Sequence, residues 1–156
     1  MIDVTVETFN QDLFKEKVAI VTGGTSGIGN GVAKKLASLG AEVYAVGLGA
    51  DKTDIPDGLN IKPVELDVTD EDGVRNFFSS LDKLDILFNG AGIGGSNERE
   101  LATFEKVIKV HLTASFLFSE LARPLLKESD IASIVNVSSM TAIFGAGSAP
   151  AYSSAK

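Results

Sequence analysis

Residues 18–29 read VAIVTGGTSGIG, a short apolar run that leads directly into a glycine-rich turn. The β-branched run Val18 to Val21 is typical of a buried strand. A helix is predicted next, because apolar residues then recur at helical spacing, at Ile28, Val32, Leu36 and Leu39. Glycines lack a Cβ, so the turn can be tight, and the helix start offers free N–H groups and a positive dipole end to a pyrophosphate. A plain strand–helix connector is the alternative interpretation of the turn taken alone.

The alternation of strand and helix continues along the chain and predicts its fold class. Four more strands are predicted at residues 41–49, 60–68, 84–92 and 131–139, and two more helices at 70–81 and 101–127. Pro63 indicates that the third strand starts late or lies at a sheet edge, and Pro124 indicates a bend in the long helix. Strands joined by helical crossovers form right-handed βαβ units. We therefore predict an α/β domain with a doubly wound parallel sheet, which binds ligands beyond the carboxyl ends of its strands.

Length and composition narrow the class of protein further. A chain of 156 residues with 44% hydrophobic residues has the size of one globular domain. The net charge of −7 argues against a nucleic-acid partner, and no apolar run reaches the roughly 18 residues of a membrane span. The chain has no cysteine and a single histidine, so we expect no metal site. Residues 1–17 lack the features of a signal peptide, and we expect a soluble cytoplasmic protein.

The glycine turn and four later motifs together resemble one known family. Gly23, Gly27 and Gly29 form a Gly-x-x-x-Gly-x-Gly pattern, which differs from both the Walker loop and the G-x-G-x-x-G fingerprint. The later motifs are LDV at 66–68, NGAG at 89–92, IVNVSS at 134–139 and YSSAK at 152–156. Each motif is weak alone, but in this order they are specific. The chain resembles the short-chain dehydrogenase/reductase family over nearly all of residues 14–156.

The resemblance implies a nucleotide cofactor and a set of residues that bind it. It implies a Rossmann-type sheet with strand order 3-2-1-4-5, within a single dinucleotide-binding domain over residues 1–156. Asp67 resembles the aspartate that contacts the adenine amino group, and NGAG resembles the segment that lines the cofactor cleft. The implied cofactor-binding residues are Thr22, Gly23, Thr25, Ser26, Gly27, Ile28, Gly29, Asp67, Val68, Asn89, Gly90, Ala91, Gly92, Tyr152 and Lys156.

Tyr152 and Lys156 resemble the catalytic pair of that family. They stand four residues apart, so on a helix both side chains lie on one face. A free phenol has a pKa near ~10, and a cation close to its oxygen favours the phenolate. Tyr152 is therefore the predicted general acid/base, with Lys156 as its electrostatic partner and cofactor anchor. The family spacing selects Ser139 over Ser138 as the serine that hydrogen-bonds the substrate oxygen.

Two departures from the family pattern concern catalysis and cofactor choice. His111 stands where the family usually carries an asparagine that holds a relay water. His111 either replaces that asparagine as a catalytic group or packs in the helix with no role. After the second strand, residues 47–50 contain neither an acid for a ribose 2′-OH nor a base for a 2′-phosphate, and Asp51 and Lys52 follow. We expect NAD as the cofactor, with NADP as the alternative.

The position of the Tyr-Lys motif predicts that more chain belongs to the enzyme. In the family the Tyr-Lys helix continues, two strands follow, and a lid completes a domain of roughly 250 residues. The sequence is therefore expected to be an amino-terminal part whose last segment is weakly held, because isolated short helices are marginal. The predicted function is an NAD(P)-dependent oxidoreductase acting on a carbonyl or secondary alcohol, as a homodimer or homotetramer. A non-catalytic dinucleotide sensor and an inactive fragment are the alternatives.

Overall fold

The computed structural model describes residues 9–156; residues 1–8, which the sequence assigns to the same domain, lie outside the described residues. Five strands form one parallel sheet in the order β3-β2-β1-β4-β5. The strands are β1 Val18–Thr22, β2 Glu42–Gly47, β3 Ile61–Glu65, β4 Ile86–Asn89 and β5 Ser133–Asn136. The helices are α1 Gly27–Ser38, α2 Glu71–Ser79, α3 Leu101–Ile108, α4 Ala114–Leu126, α5 Thr141–Phe144 and α6 Pro150–Ala155. The predicted fold class and strand order are confirmed.

The register of the sheet brings the carboxyl ends of the strands to one edge. Thr22 at the end of β1 pairs with Asn89 of β4, which pairs in turn with Asn136 of β5. In the other half of the strand order, Gly47 at the end of β2 pairs with Glu65 at the end of β3. All five strands therefore end at the same edge, and the loops that follow them meet there.

Apolar side chains cover both faces of the central strand β1. Ile20 of β1 packs in a cluster with Phe78 of α2 and Phe118 of α4, whereas the next residue, Val21, packs in a cluster with Ala33 of α1. The rings of Phe78 and Phe118 meet edge to face with their centroids 5.4 Å apart. Successive strand residues point to opposite faces, so the central strand is buried on both sides. The loops at the carboxyl edge thus start from a rigid base.

The apolar face predicted for α1 packs on the core at Val32, Leu36 and Leu39 but not at its first residue. Ile28, the first apolar residue of the predicted face, is 78% exposed. The buried residues of α1 are Gly29, Asn30, Ala33 and Ala37. The close packing of Gly29 on the preceding turn leaves the neighbouring Ile28 on the outside of the helix start. Ile28 consequently lies at the mouth of the site described below.

The long helix predicted over residues 101–127 is present, with a change of hydrogen-bonding pattern in its middle. A π-helical segment, Lys109–Thr113, separates α3 from α4 and contains His111. Pro124, where the sequence indicates a bend, lies within α4. Single π-turns inside α-helices occur frequently at functional sites. Neither this helix nor any other in residues 9–156 has the length and apolar character needed to cross a membrane.

A buried carboxylate holds the opposite, amino-terminal edge of the sheet together. Asp85, directly before β4, is fully buried. Its Oδ2 accepts a hydrogen bond from the backbone N–H of Val18 at 2.8 Å, and its Oδ1 accepts one from the Ser129 hydroxyl at 2.6 Å. Lys83 Nζ lies 3.5 Å from Oδ2. A buried carboxylate requires such donors, and here they connect the starts of β1 and β4 to the chain that follows α4.

Replacing Asp85 with alanine is expected to lower the free energy of unfolding by about 2–4 kcal/mol, because two donors lose a buried acceptor. Urea unfolding measures the loss. The control is Asp130→Ala, which removes a carboxylate that pairs with Lys17 at the surface and is expected to cost much less. Equal losses in the two variants would contradict the role assigned to Asp85.

Candidate active site

The glycine-rich turn after β1 closes on itself through backbone contacts. Gly23 and Gly27 have φ angles of 69° and 54°, in the left-handed region that favours glycine. Gly29, in the first turn of α1, packs against Gly23, and a Cβ at Gly29 would lie 2.2 Å from the Gly23 carbonyl oxygen. No side chain fits at that position. The close approach fixes the start of α1 relative to the end of β1.

Thr22 and Asn89 join the strand ends behind this turn. Thr22 is buried, and its Oγ1 accepts hydrogen bonds from the backbone N–H groups of Gly90 and Ala91, both at 3.1 Å. Asn89 is also buried, and its Nδ2 donates to Asn136 Oδ1 at 2.8 Å. The sequence predicts that both residues bind the cofactor. The structure places them as links between β1, β4 and β5.

A cleft of about 330 Å³, here called the turn cleft, opens between the glycine turn, the ends of β2 and β3, and the segment after β4. Seven of its lining residues belong to the cofactor-binding set that the sequence predicts: Gly23, Thr25, Ser26, Asp67, Val68, Ala91 and Gly92. The other lining residues are Gly47, Leu48, Leu66, Ile93, Lys106 and Val110. Three of the sequence motifs, and the loop after β2, thus meet around one cavity.

The amino end of α1 has the properties of an anion site. The first N–H groups of a helix have no partners within the helix. The first turn of α1 contains no acidic residue, and its N-cap, Ser26, makes no side-chain cap hydrogen bond. A Cβ at Gly27 would meet no atom within 4 Å, so the turn presents open space to a ligand. These residues fit the pyrophosphate of a dinucleotide.

Asp67 brings a negative charge to the turn cleft. Its Oδ1 accepts hydrogen bonds from the backbone N–H and the hydroxyl of Thr69, both at 2.8 Å. These hydrogen bonds, the backbone one above all, hold the pKa of Asp67 below its ordinary value. Lys106 of α3 also lines the cleft. The sequence did not reveal Lys106, because it is one of several exposed lysines on a long helix and belongs to none of the motifs.

The end of β2, where cofactor choice is predicted to be made, packs closely against the Thr25 side chain. A Cβ at Gly47 would lie 2.8 Å from Thr25 Oγ1, and the Thr25 hydroxyl donates to the Leu48 carbonyl oxygen at 2.9 Å. An acid reaches this loop from the neighbouring strand instead. Glu65 Oε2, at the end of β3, accepts a hydrogen bond from the backbone N–H of Ala50 at 2.7 Å.

A second cavity, of about 530 Å³, contains the predicted catalytic pair and is here called the tyrosine cleft. Its lining residues are Ile28, Gly90, Gly92, Ile93, Gly94, Gly95, Glu98, His111, Val137, Ala149, Tyr152 and Lys156. Gly92 and Ile93 line both cavities, so the two clefts adjoin at this segment. Within residues 9–156, no group of three His, Asp or Glu side chains is placed to hold a metal ion.

Tyr152, His111 and Lys156 meet in the tyrosine cleft. The rings of Tyr152 and His111 pack edge to face with their centroids 5.1 Å apart. Lys156 Nζ lies 5.8 Å from the centroid of the Tyr152 ring and donates to the Val137 carbonyl oxygen at 2.8 Å. Burial lowers the pKa of Lys156. The structure thus places the cation beside the phenol ring.

His111 is held in place through its Nε2 atom. The side chain is buried, and Nε2 lies 3.0 Å from the backbone nitrogen and 2.9 Å from the carbonyl oxygen of Ile93. Burial lowers the pKa of His111, while the contact with Ile93 acts in the opposite direction to a smaller extent. The ring is therefore neutral at pH 7. Its Nδ1 is buried without a hydrogen-bond partner among the described residues.

The two serines after β5 lie in different surroundings. The Ser138 hydroxyl donates to the Lys156 carbonyl oxygen at 3.0 Å, and Ser138 lines a cavity of about 370 Å³ together with His111 and Lys156. The Ser139 Oγ accepts hydrogen bonds from the Thr141 backbone N–H at 3.2 Å and from the Thr141 hydroxyl at 3.0 Å. Ser139 is not among the described residues that line these three cavities. Because Ser139 accepts both hydrogen bonds, its own hydrogen can be donated to a ligand.

Helix α6, which carries Tyr152, is held by contacts that the sequence did not reveal. Ala151 is fully buried. Glu98, from the loop between β4 and α3, is 2% exposed, and its Oε2 accepts a hydrogen bond from the Tyr152 backbone N–H at 2.9 Å. The expectation of a weakly held segment considered α6 in isolation. In the sequence Glu98 is one acid among several polar residues, with no pattern that marks it.

The family is shown by comparison with known proteins. The family model for short chain dehydrogenases matches residues 17–156, which is most of the chain. The parallel sheet, the glycine turn after β1 and the Tyr-Lys pair beside it accord with this match. The chain belongs to the short-chain dehydrogenase/reductase family, and the resemblance noted in the sequence is confirmed.

Curated relatives of this chain include dehydrogenases and a reductase. It is 35% identical over 153 residues to secoisolariciresinol dehydrogenase of Forsythia intermedia, covering 90% of this chain and 55% of the relative. It is 34% identical over 153 residues to D-beta-hydroxybutyrate dehydrogenase of Cupriavidus necator, with 90% and 59% covered. It is 32% identical over 154 residues to 3-oxoacyl-[acyl-carrier-protein] reductase of Aquifex aeolicus, with 90% and 62% covered. The chain thus spans somewhat more than half the length of these relatives.

Replacing Gly29 with alanine is expected to lower the free energy of unfolding by about 3 kcal/mol, because the new Cβ would collide with the Gly23 carbonyl oxygen. The matched control is Gly31→Ala, two residues further along α1, where a Cβ meets no atom within 4 Å. The control is expected to be neutral or to stabilise by up to about 1 kcal/mol, since alanine favours a helix. Urea unfolding measures the free energies of unfolding of the two variants. Equal values would argue against the close contact between Gly29 and Gly23.

The buried, neutral state of His111 is expected to make stability depend on pH between about 7.5 and 5.5. The unfolded chain binds a proton near the ordinary pKa of 6.5, whereas the folded state resists protonation. Stability is therefore complete above that value and falls as the pH drops through it towards the lowered pKa of the folded state. Carboxylates whose pKa is lowered in the folded state, such as Asp67, change the stability only at pH values below this range, where they become protonated.

His111→Asn is expected to remove this pH-dependent step. The free energies of unfolding of the wild type and the variant, measured in urea at both ends of the range, provide the comparison. A step of the same size in the variant would show that another group causes it.

Proposed function

We propose that this protein is an NAD(P)-dependent oxidoreductase that interconverts a carbonyl group and a secondary alcohol. The observation that carries the proposal is the meeting of Tyr152, Lys156 and His111 in a cleft that adjoins the glycine turn. The names of the relatives support it, since they are dehydrogenases and a reductase. The proposed substrate is a small molecule with a carbonyl or hydroxyl group at the reacting carbon.

The turn cleft supports the binding of a dinucleotide. In the proposal, Gly23–Gly29 hold the pyrophosphate through backbone N–H groups at the start of α1. Asp67, whose ionised form the hydrogen bonds from Thr69 favour further, accepts a hydrogen bond from the adenine amino group. Lys156 reaches the ribose next to the nicotinamide. When bound, the coenzyme supplies or accepts the hydride, and the protein positions the reactants and moves the proton.

Tyr152 is the proposed general acid/base at the substrate oxygen. In the reducing direction its phenol gives a proton to that oxygen as negative charge develops there, and in the oxidising direction the phenolate takes the proton back. The ammonium of Lys156 stabilises the phenolate. A lysine has three N–H donors, and the hydrogen bond to the Val137 carbonyl uses one of them. The others are available for the coenzyme and for the proton path.

Ser139 and His111 complete the proposed catalytic set. The Ser139 hydroxyl accepts two hydrogen bonds from Thr141, which leaves its own hydrogen free to be donated to the substrate oxygen. His111 packs against Tyr152 and has a buried Nδ1 without a partner among the described residues. An unpartnered buried nitrogen is an atom that a bound water satisfies. This supports His111 in the relay position over a packing role alone.

NAD is the proposed coenzyme. Residues 47–50 include no lysine or arginine that could bind a 2′-phosphate. The Glu65 carboxylate, bound to the N–H of Ala50, adds negative charge to the loop after β2. A 2′-phosphate near that loop would be repelled, whereas a ribose hydroxyl would not.

Replacing Tyr152 with phenylalanine in the protein as its gene encodes it is expected to lower kcat by about 10²–10⁴-fold, because the proton donor is lost. The ring that packs on His111 is retained, so coenzyme affinity is expected to stay within about twofold. Turnover is measured with a panel of ketones and secondary alcohols, and affinity by fluorescence titration with NADH and NADPH. NADH is expected to bind more tightly than NADPH. Unchanged turnover would exclude Tyr152 as the acid/base, and coenzyme binding by a wild type without turnover would indicate a sensor.

The neighbouring serines provide a matched pair for the same assay. Ser139→Ala is expected to lower kcat by about 10²-fold, since a hydrogen-bond donor to the substrate oxygen is lost. Ser138→Ala removes only the hydrogen bond to the Lys156 carbonyl and is expected to have a small effect on kcat. The opposite order of the two effects would assign the substrate contact to Ser138.

A further inference from the structure

Glu98 is a buried carboxylate that the roles proposed above do not use. It lies in the loop between β4 and α3, lines the tyrosine cleft and is 2% exposed. Burial of an ionised carboxylate is unfavourable unless donors compensate for the lost water. The donor here is the backbone N–H of Tyr152, 54 residues further along the chain and 2.9 Å from Glu98 Oε2. The contact connects a loop residue directly to the main chain of the proposed acid/base.

The loop that carries Glu98 is shaped around its side chain. Asn97 has a φ of 62°, a left-handed conformation that is uncommon outside glycine. The backbone N–H of Glu100 donates to the Asn97 carbonyl oxygen at 2.9 Å and closes a turn around Glu98. A Cβ at Gly95 would lie 2.7 Å from Glu98 Cγ, so the loop backbone packs directly on the glutamate. These three features hold the Glu98 side chain in place, with its carboxylate at the start of α6.

Helix α6 needs an acceptor from elsewhere in the chain. Its N-cap is Ala149, which has no side-chain acceptor. The N–H of Tyr152 belongs to the first turn, where helical N–H groups have no partners within the helix. A carboxylate at this place satisfies the N–H group and interacts favourably with the helix dipole. The same loop also contacts the segment that precedes α6. The Arg99 guanidinium donates a hydrogen bond to the Gly147 carbonyl oxygen at 2.9 Å.

We propose that Glu98 is a positioning residue that fixes Tyr152 in the site by capping α6 from the loop after β4. The inference rests on the proposed role of Tyr152 as the acid/base. A proton donor acts only within hydrogen-bond reach of its target, and a displacement of about 1 Å can cost about 100-fold in rate. Because the hydrogen bond is made to the Tyr152 main chain, its loss shifts the phenol while every side chain of the proposed catalytic set is retained.

Two conservative variants separate the hydrogen bond from the charge. Glu98→Gln keeps an oxygen acceptor at the same reach and removes the charge. Glu98→Asp keeps the charge and withdraws the carboxylate by about 1.5 Å, the length of one C–C bond. If the hydrogen bond positions Tyr152, Glu98→Asp lowers kcat by about 10- to 100-fold, whereas Glu98→Gln stays within about threefold of the wild type. Substrate KM and the dissociation constant of NADH stay within about twofold in both variants.

Asp70→Ala is the matched control for a purely structural effect. Asp70 Oδ1 caps α2 by accepting a hydrogen bond from the Gly73 N–H at 3.2 Å, so this variant also removes an acceptor at a helix start. It is expected to lower the unfolding temperature and leave kcat within about twofold. A loss of kcat in Asp70→Ala as large as in Glu98→Asp would attribute both effects to stability and overturn the proposal. Equal kcat values in Glu98→Asp and the wild type, or a loss in Glu98→Gln alone, would overturn it as well.

Amide hydrogen exchange at Tyr152 tests the capping contact without any turnover. In the apoprotein, Glu98→Asp is expected to speed exchange of this amide by at least about tenfold, and Glu98→Gln to leave it near the wild-type rate. Exchange that is the same in all three proteins would overturn the capping contact. If exchange changes as expected while the wild type turns over no carbonyl or alcohol substrate, then the acid/base role of Tyr152 has failed and the contact itself stands.

Discussion

Two glycine-containing segments contact each other directly at the carboxyl ends of β1 and β4, and this contact sets the geometry of the whole site. A Cβ at Gly23 would lie 2.9 Å from the Gly90 carbonyl oxygen, and one at Gly29 would lie 2.2 Å from the Gly23 carbonyl oxygen. Only backbone without side chains can pass so closely. Parallel pairing of β1 with β4 sets the two segments side by side, and Thr22 Oγ1 holds the second segment by two N–H groups.

The two clefts follow from that contact. The turn cleft lies where the start of α1 meets the loops after β2 and β3, and the tyrosine cleft lies where the segment after β4 meets α6. Gly92 and Ile93 separate and border both. Ile93 also holds Nε2 of His111, whose ring packs on Tyr152. A ligand that extends from the glycine turn past Gly92 would therefore approach the phenol, which is the arrangement that hydride and proton transfer to one substrate requires.

The fold could be predicted from the sequence because its signals are local. Buried strands and amphipathic helices leave periodic patterns, and the glycines of the turn mark where backbone must pass closely. What could not be predicted depends on packing between distant segments. The exposure of Ile28 follows from how Gly29 seats α1 on the turn, and the cap that Glu98 provides spans 54 residues of chain. The π-helical segment that holds His111 likewise leaves no mark in a continuous apolar helix pattern.

Binding of a dinucleotide in the glycine turn, beside the Tyr-Lys pair, can be observed in a crystal structure of the protein as its gene encodes it, grown with NAD. We expect density for the diphosphate against Gly23–Gly29 and for the rest of the coenzyme along Gly92 towards Tyr152. A nucleotide bound elsewhere on the molecule, or none at millimolar concentration, would refute the proposed site.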